Sequence, residues 1–196
     1  INCVTSSALG LLVYCKNRKN PVNITYGLFC LSIAIWSFFY FFWQISTEAE
    51  SAFFLCRALM AGAIFIAPFY LHYICALLNI YSQKKKILIF AYIFSIVSFL
   101  LNFTPFFVKS VSQKMRFKYW PDAGIVYGPF LVIWLWIVFY GFYLLVKSLK
   151  NTSGQRKNKL RYILVATAIA WSGGGTNFPL WFNVSIPPVG NIFISI

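Results

Sequence analysis

The chain alternates apolar stretches of about 20 residues with short loops, and a helix of that length crosses the roughly 30 Å of hydrocarbon in a bilayer. In hydrocarbon, backbone polar groups must be hydrogen-bonded inside helices or a closed barrel. The apolar runs are continuous and lack the alternation of barrel strands. The sequence therefore predicts an all-α, polytopic membrane helix bundle.

Seven transmembrane helices are predicted in one domain, residues 1–196, with the first and last helices truncated. The predicted spans are residues 1–14, 24–45, 53–78, 87–106, 125–149, 160–182 and a partial helix at 186–196. Because Ile1 and Ile196 both lie inside apolar runs, we expect the chain to be part of a longer protein. The segment 107–124 is predicted to be a lid or a small interfacial helix.

Charge divides the loops into two sets. Twelve of the 17 Lys and Arg residues lie in the segments 16–19, 84–86 and 147–161, whereas Glu48, Glu50 and Asp122 lie in the intervening loops. Short basic loops stay in the cytoplasm, so the N-terminus is predicted to lie outside. The net charge of +14 then reflects topology and contact with membrane lipids, and nucleic acid is not an expected partner.

Polar and aromatic side chains concentrate in the outer half of the predicted bundle. Ligand pockets are mostly apolar with a few placed polar groups, and ordinary aromatic packing is the alternative interpretation. Three of these side chains share one face of the second helix, at spacings of i, i+4 and i+7. The candidate ligand-binding residues are Trp36, Tyr40, Trp43, Arg57, Asn102, Tyr127, Trp134, Asn177 and Trp181.

Arg57 is the only charge well inside an apolar run. Intramembrane charges are costly and often functional, although this one lies near enough to the outer end to reach the head groups. Its predicted partner is an anionic or carbonyl group of a ligand, or one of the three acids. His72 is the only histidine, and structural hydrogen bonds to Tyr70 or Tyr73 are its expected role.

The sixth predicted helix is interrupted by glycines. Gly173, Gly174 and Gly175 are followed by Pro179, and this combination predicts a kink or partial unwinding that acts as a hinge. Unwound backbone at membrane depth is tolerated only where it is buried in protein or lines a cavity. An interrupted helix is also a feature of transporters, so a small-molecule permease is the alternative function.

The sequence contains no recognisable catalytic motif. No predicted helix carries a carboxylate, and no metal cluster, phosphate loop or nucleophile set stands out. We therefore expect no catalytic activity, metal or cofactor within these residues. A retinal photoreceptor is a further alternative, but the start of the seventh helix has no Schiff-base lysine.

The C-terminal stretch contains a run of motif residues, which are Gln155, Gly174, Gly175, Thr176, Asn177, Phe178, Pro188, Gly190 and Asn191. On these residues the stretch resembles the N-terminal seven-transmembrane sensor region of bacterial membrane histidine kinases. In that family a basic loop with a glutamine leads into the sixth helix, and a short turn precedes the last helix. Here Pro179 follows Phe178 directly, whereas the family's proline lies two positions after the Phe.

The resemblance implies a receptor module in the bacterial inner membrane. A small amphipathic or lipid-like signal would bind in the bundle, and the shift would pass through the last helix to a cytoplasmic output. The resemblance further implies a homodimer, a histidine kinase domain beyond Ile196 and a response regulator as its partner. A cyclase or another output domain after the same membrane module is the alternative. Sensing of membrane tension, thickness or lipid composition is the alternative to a discrete ligand.

Overall fold

A computed structural model of the protein describes residues 1–190. Within these residues six long helices form a bundle, and a hairpin and a short helical turn lie at one end of it. Their bounds are α1 Asn2–Lys16, α2 Pro21–Gln44, α3 Ala49–Leu77, α4 Tyr81–Leu101, β1 Val108–Lys114, β2 Phe117–Ala123, α5 Tyr127–Lys150, α6 Gly154–Gly175 and α7 Phe178–Trp181.

Three of the helices, α2, α3 and α5, are long and apolar enough to cross a membrane. Helices α4 and α6 begin with lysines and arginines that the sequence analysis had assigned to loops. The apolar part of α4, from residue 87 to 101, is only about 22 Å long at 1.5 Å per residue. Of the predicted seventh helix, residues 186–188 are not helical and 191–196 lie outside the described residues.

Local capping explains why α2 begins three residues before its predicted start. The side chain of Asn20 accepts a hydrogen bond of 2.9 Å from the backbone N–H of Val22. Pro21 occupies the first turn, where its missing N–H costs nothing. An asparagine cap followed by proline is a strong helix start, and it overrides the hydrophobic boundary.

Helix α3 is the centre of the bundle. Its 29 residues contact α2, α4 and α5, and it contributes more buried side chains than any other described helix. The contact with α2 depends on Gly62, because a Cβ there would lie 2.7 Å from the backbone nitrogen of Trp36. Small residues at such positions let helix backbones approach closely in membranes.

The packing of α5 against α3 uses a second glycine and an indole. A Cβ on Gly141 would lie 2.6 Å from the ring of Tyr70, so the glycine makes room for that side chain. The indole N–H of Trp134 donates a 3.1 Å hydrogen bond to the carbonyl oxygen of Ala63. These contacts hold α5 against the middle of α3.

The segment 107–124 folds as an antiparallel hairpin, so the predicted interfacial helix and the all-α class are wrong there. Strand β1 pairs with β2 from Val108 opposite Ala123 to Lys114 opposite Phe117. Met115 makes the turn with a φ of +53°. The sequence VKSVSQK has no two-residue alternation, and contacts across the pair support the strand instead, because Ser110 and Ser112 both donate hydrogen bonds to the carboxylate of Asp122.

The structure places the acidic and basic loops at opposite ends of the bundle. Lys118 and Tyr119 of the hairpin both donate to the carbonyl oxygen of Thr47, at 3.0 and 3.1 Å, so the hairpin lies at the end that carries Glu48. At the other end of α3, Leu77 lines a cavity together with Lys159. The charge asymmetry of the sequence therefore runs along the bundle axis.

The outer surface of the bundle is apolar. Large side chains such as Phe41, Ile93, Val132 and Phe139 are exposed on three different helices. Exposed apolar surface of this extent is unfavourable in water and is typical of a surface that faces another apolar phase. This surface fits the lipid environment that the sequence predicts.

Replacing Gly62 with Ala is expected to destabilise the bundle by about 1–3 kcal/mol, because the added methyl group overpacks the contact between α2 and α3. The matched control is Gly27→Ala in α2, where the nearest atom, Cβ of Tyr14, is at an ordinary 3.5 Å. Unfolding in detergent, followed by circular dichroism, measures both. Equal stability of the two variants would contradict the close contact.

Candidate functional site: a central cavity

A cavity of about 320 Å³ lies in the middle of the bundle. Helices α1, α2, α3, α5 and α6 form its walls, and α7 and the hairpin contribute at the outer end. Its volume falls at the lower end of the range for drug-sized ligands, which is about 300–1,000 Å³. A central cavity with mostly apolar walls can hold a small amphipathic molecule.

Seven of the nine candidate ligand-binding residues line this cavity. They are Trp36, Tyr40, Trp43, Tyr127, Trp134, Asn177 and Trp181. The α2 residues contact one another in a row, with ring centroids 5.2 Å apart in both pairs, so they do share one face. The structure thus brings together side chains from α2, α5 and α7; their role in binding stays a prediction.

The hairpin covers the outer end of the cavity. Trp120 of β2 is fully buried, and its ring lies 4.9 Å from that of Trp43. The indole N–H of Trp43 donates a 3.0 Å hydrogen bond to the carbonyl oxygen of Tyr119. The buried indole N–H of Trp120 has no partner among the described residues. The segment predicted to be a lid or an interfacial helix is therefore a strand pair that packs on α2 through Trp120.

Lys114 ties this lid to α7. It is 7% exposed, and its ammonium group lies 2.7 Å from Oδ1 of Asp122. The same group donates to the carbonyl oxygens of Pro121, Leu180 and Trp181 at 3.1, 3.0 and 3.4 Å. Burial of a charge is costly unless it is paired and hydrogen-bonded, and here both conditions are met. One side chain therefore joins the hairpin to the helical turn that carries Trp181.

Asp122 is held ionised in this network. Burial by itself raises the pKa of Asp122. Hydrogen bonds from Lys114, Ser110 and Ser112 lower the pKa by more than burial raises it, so the net pKa lies below its usual range. A lowered pKa means that the stabilising contribution is present above the ordinary pKa and is lost as the pH falls through the folded-state value. The ion pair of Asp122 with Lys114 therefore stabilises the hairpin at neutral pH.

The sixth helix ends where the sequence predicts a break. Helix α6 stops at Gly175, and α7 begins at Phe178 after a turn. The hydroxyl of Tyr40 lies 3.4 Å from Oδ1 of Asn177, which connects the turn to α2. Trp181 then stacks on Tyr127 with ring centroids 4.1 Å apart and an angle of 7°. The break therefore faces the cavity, as irregular backbone at membrane depth requires.

The chain returns to this break through Gly190. A Cβ on Gly190 would lie 2.5 Å from the carbonyl oxygen of Gly173, so the two glycine backbones are in direct contact. The N–H of Gly190 donates a 3.1 Å hydrogen bond to the hydroxyl of Thr176, which itself donates to the carbonyl oxygen of Gly173 at 2.7 Å. Glycines distant in the sequence thus form one close backbone crossing.

Arg57 and Asn102 lie apart from the cavity and next to each other. The amide group of Asn102 donates a 2.8 Å hydrogen bond to the carbonyl oxygen of Arg57. The guanidinium carbon of Arg57 lies 4.1 Å from the centroid of the Phe53 ring. The acid that sequence reasoning offered as a partner, Asp122, pairs with Lys114 instead. Arg57 and Asn102 were grouped with the cavity residues because of their similar predicted depth. The structure shows that residues at similar depth need not line the same cavity.

The contacts of His72 also differ from those that the sequence predicts. Its Nδ1 lies 2.7 Å from the hydroxyl of Tyr92 on α4, and its ring stacks on Tyr81. The expected partners, Tyr70 and Tyr73, precede and follow it in α3 and point elsewhere into the core. The histidine therefore joins α3 to α4 and does not line the central cavity.

A comparison with protein families matches residues 1–195 to the N-terminal 7TM region of histidine kinase. The chain belongs to this family. No curated protein and no solved structure shows a significant match to it. The match covers almost the whole chain, so it confirms the resemblance seen in the C-terminal stretch.

Most residues of the C-terminal motif of this histidine kinase sensor family lie near the turn that follows α6. Thr176 and Gly190 hydrogen-bond, and Asn177 lies at the turn between α6 and α7. Thr176, Asn177 and Gly190 therefore lie at one crossing beside the cavity, whereas Gln155 lies at the start of α6 and Asn191 lies outside the described residues. This sensor region combines a central cavity, an outer lid and a break in α6.

Sequence reasoning missed several residues of the site. Thr5 and Ser6 of α1, Thr167 and Trp171 of α6, and Trp120 of the hairpin all line the cavity. Lys114 was counted only as a loop charge. The strand β1 lacks an apolar and polar alternation that would have predicted the hairpin, and nothing in the sequence indicated that the ammonium group of Lys114 reaches the carbonyl oxygens of α7.

Replacing Lys114 with Met is expected to release the hairpin from α7. Each hydrogen bond to a charged group contributes about 1.5–3 kcal/mol, so amide hydrogen exchange in β2 should accelerate by about tenfold or more. The control is Lys109→Met, which removes an exposed charge from the same strand. Exchange followed by mass spectrometry measures both, and equal protection in the two variants would contradict the link.

Proposed function

We propose that this chain is the signal-receiving membrane module of a two-component histidine kinase. The observation that carries the proposal is the central cavity, which seven of the predicted ligand-binding residues line in a chain of the histidine kinase sensor family. A small amphipathic or lipid-like signal occupies the cavity in the outer half of the bundle. The module lies in the bacterial inner membrane, with its N-terminus outside.

The proposed relay runs from the cavity to the end of α6. Trp181 lies against Tyr127 in the cavity wall, and its carbonyl oxygen accepts a hydrogen bond from Lys114. A ligand that displaces Trp181 would shift α7 and the backbone crossing of Gly173 with Gly190. A ligand can shift an equilibrium only by binding two states with different affinity, and the two states here differ in the position of α7.

The hinge assigned to Gly173, Gly174, Gly175 and Pro179 is part of this proposal. The end of α6 at Gly175 and the helical turn that contains Pro179 support a pivot between them. Helices α1, α4 and α6, and a seventh helix, complete the membrane crossing in the proposed seven-helix arrangement. The output lies beyond Ile196, where a kinase acts as a homodimer and passes phosphate to a response regulator.

Sequencing the parent reading frame past Ile196 is the first test. A phosphoacceptor histidine followed by an ATP-binding domain is the expected result. A stop codon soon after the membrane region would overturn the proposal. Flux measurements on proteoliposomes would then test the permease.

Filling the cavity is expected to change kinase output. Ala170 of α6 lines the cavity, so Ala170→Phe places a ring where the signal would bind. Coupling between sites is typically about 1–3 kcal/mol, so the autophosphorylation rate of the full-length protein in nanodiscs should change by about fivefold or more. Ala168→Phe, at an exposed position of the same helix, is the control. An unchanged rate in Ala170→Phe would overturn signalling through the cavity.

The backbone crossing is tested by Gly190→Ala. The added methyl group collides with Gly173, so the crossing must open and the basal autophosphorylation rate should shift without loss of membrane insertion. Gly27→Ala is the matched control, because Gly27 lies outside the proposed hinge and a Cβ there makes only ordinary contacts, the nearest at 3.5 Å. The same phosphorylation assay compares the two. Wild-type kinetics in Gly190→Ala would remove the crossing from the relay.

A further inference from the structure

The chemistry of the cavity wall restricts the ligand, and the inference drawn from it rests on the proposed function. The described residues that line the cavity include no Lys, Arg, His, Asp or Glu. An ion placed there would lose its hydration and find no opposite charge, which costs far more than a few hydrogen bonds return. The wall therefore favours an uncharged ligand.

The cationic side chains near the cavity, Lys114 and Arg57, already contact other groups of the protein. The ammonium group of Lys114 is already bonded to Asp122 and to three carbonyl oxygens. Arg57 lies against Phe53 and is not among the lining residues. Lys114 can neutralise an anion in the cavity only by breaking contacts that join the hairpin to α7, and Arg57 does not line the cavity.

The size and lining of the cavity favour ring systems. An engineered cavity of about 150 Å³ in another protein holds one benzene molecule, and the volume here is about twice that. Aromatic side chains cover the wall from several sides, among them Trp36, Trp134 and Trp171. Aromatic rings pack on one another in offset or edge-to-face arrangements, so such a wall suits a flat ligand.

Tyr127 supplies a polar contact. It is 1% exposed, lines the cavity, and stacks on Trp181. Its hydroxyl makes no hydrogen bond to any residue within 1–190. The indole N–H groups of Trp43 and Trp134 already have carbonyl partners, whereas that of Trp120, which also lines the cavity, is a second donor without a partner among these residues. A buried hydroxyl without a partner is costly, and a ligand hydroxyl or carbonyl group would relieve that cost.

We propose that the central cavity binds an uncharged amphiphile of two or three fused rings, whose hydroxyl or carbonyl group hydrogen-bonds to the hydroxyl of Tyr127. Such a ligand inserts beside the stacked pair of Tyr127 and Trp181, at the point where the hairpin, α5 and α7 meet. Its recognition depends on ring packing and one hydrogen bond, and charge plays no part.

The test uses three probes with the same ring system on the full-length protein in nanodiscs. They are anthracene, 9-anthracenemethanol and anthracene-9-carboxylate, and energy transfer from the protein's tryptophans reports binding. Saturable transfer is expected for the alcohol and is lost in Ala170→Phe. The carboxylate should bind about tenfold more weakly or worse, because its charge has no partner in the cavity.

Tyr127→Phe tests the hydrogen bond while keeping the ring. One hydrogen bond corresponds to about three- to tenfold in affinity, so the variant should bind 9-anthracenemethanol that much more weakly and anthracene as before. Unchanged anthracene binding also shows that the variant is folded. Tyr143→Phe, at an exposed position of the same helix, should bind all three probes as wild type does.

Two results would overturn the inference and leave the proposed function standing. They are carboxylate binding as tight as that of the alcohol, and alcohol binding that Tyr127→Phe does not weaken. Absence of saturable binding by every probe would also overturn it. In each case the autophosphorylation rate of Ala170→Phe decides the proposed function separately.

Discussion

The close contact between α2 and α3 at Gly62 is the constraint on which the rest of the bundle depends. In lipid there is no hydrophobic force between helices, so they associate through packing and hydrogen bonds. Gly62 lets the backbone of α3 approach that of α2 near Trp36. That contact fixes the aromatic face of α2 relative to α3, and α5 then packs on α3 through Gly141 and Trp134. The space left among these helices is the cavity.

The outer end of the cavity depends on a different kind of interaction. Lys114 and Asp122 form a charged network inside an otherwise apolar protein, and every partner of the ammonium group belongs to the lid or to α7. Because a buried charge tolerates few arrangements, the network specifies one position of the hairpin. No charged side chain among the described residues lines the cavity below it. The charged contacts of this part of the molecule are therefore confined to the hairpin and its junction with α7.

Sequence reasoning reached the cavity through helix periodicity. Trp36, Tyr40 and Trp43 were placed on one face of a helix, and the structure has them on the cavity wall. The glycines of the sixth helix predicted the break after Gly175. Arg57 and Asn102 were grouped with them by depth alone, and depth leaves the angular position around the bundle undetermined. The hairpin was not predicted because neither strand alternates apolar and polar side chains along its length, and the pairing of the two strands is irregular at two places.

The sequence by itself determined the membrane class, the charge asymmetry, the aromatic face of α2 and the family. These properties follow from composition, period and motif, which are local along the chain. Only the tertiary structure decided that Lys114 reaches α7, that Gly190 crosses Gly173 and that Arg57 lies away from the cavity. Each of these contacts joins residues far apart in sequence, and their geometry depends on how the helices are rotated about their axes when they pack.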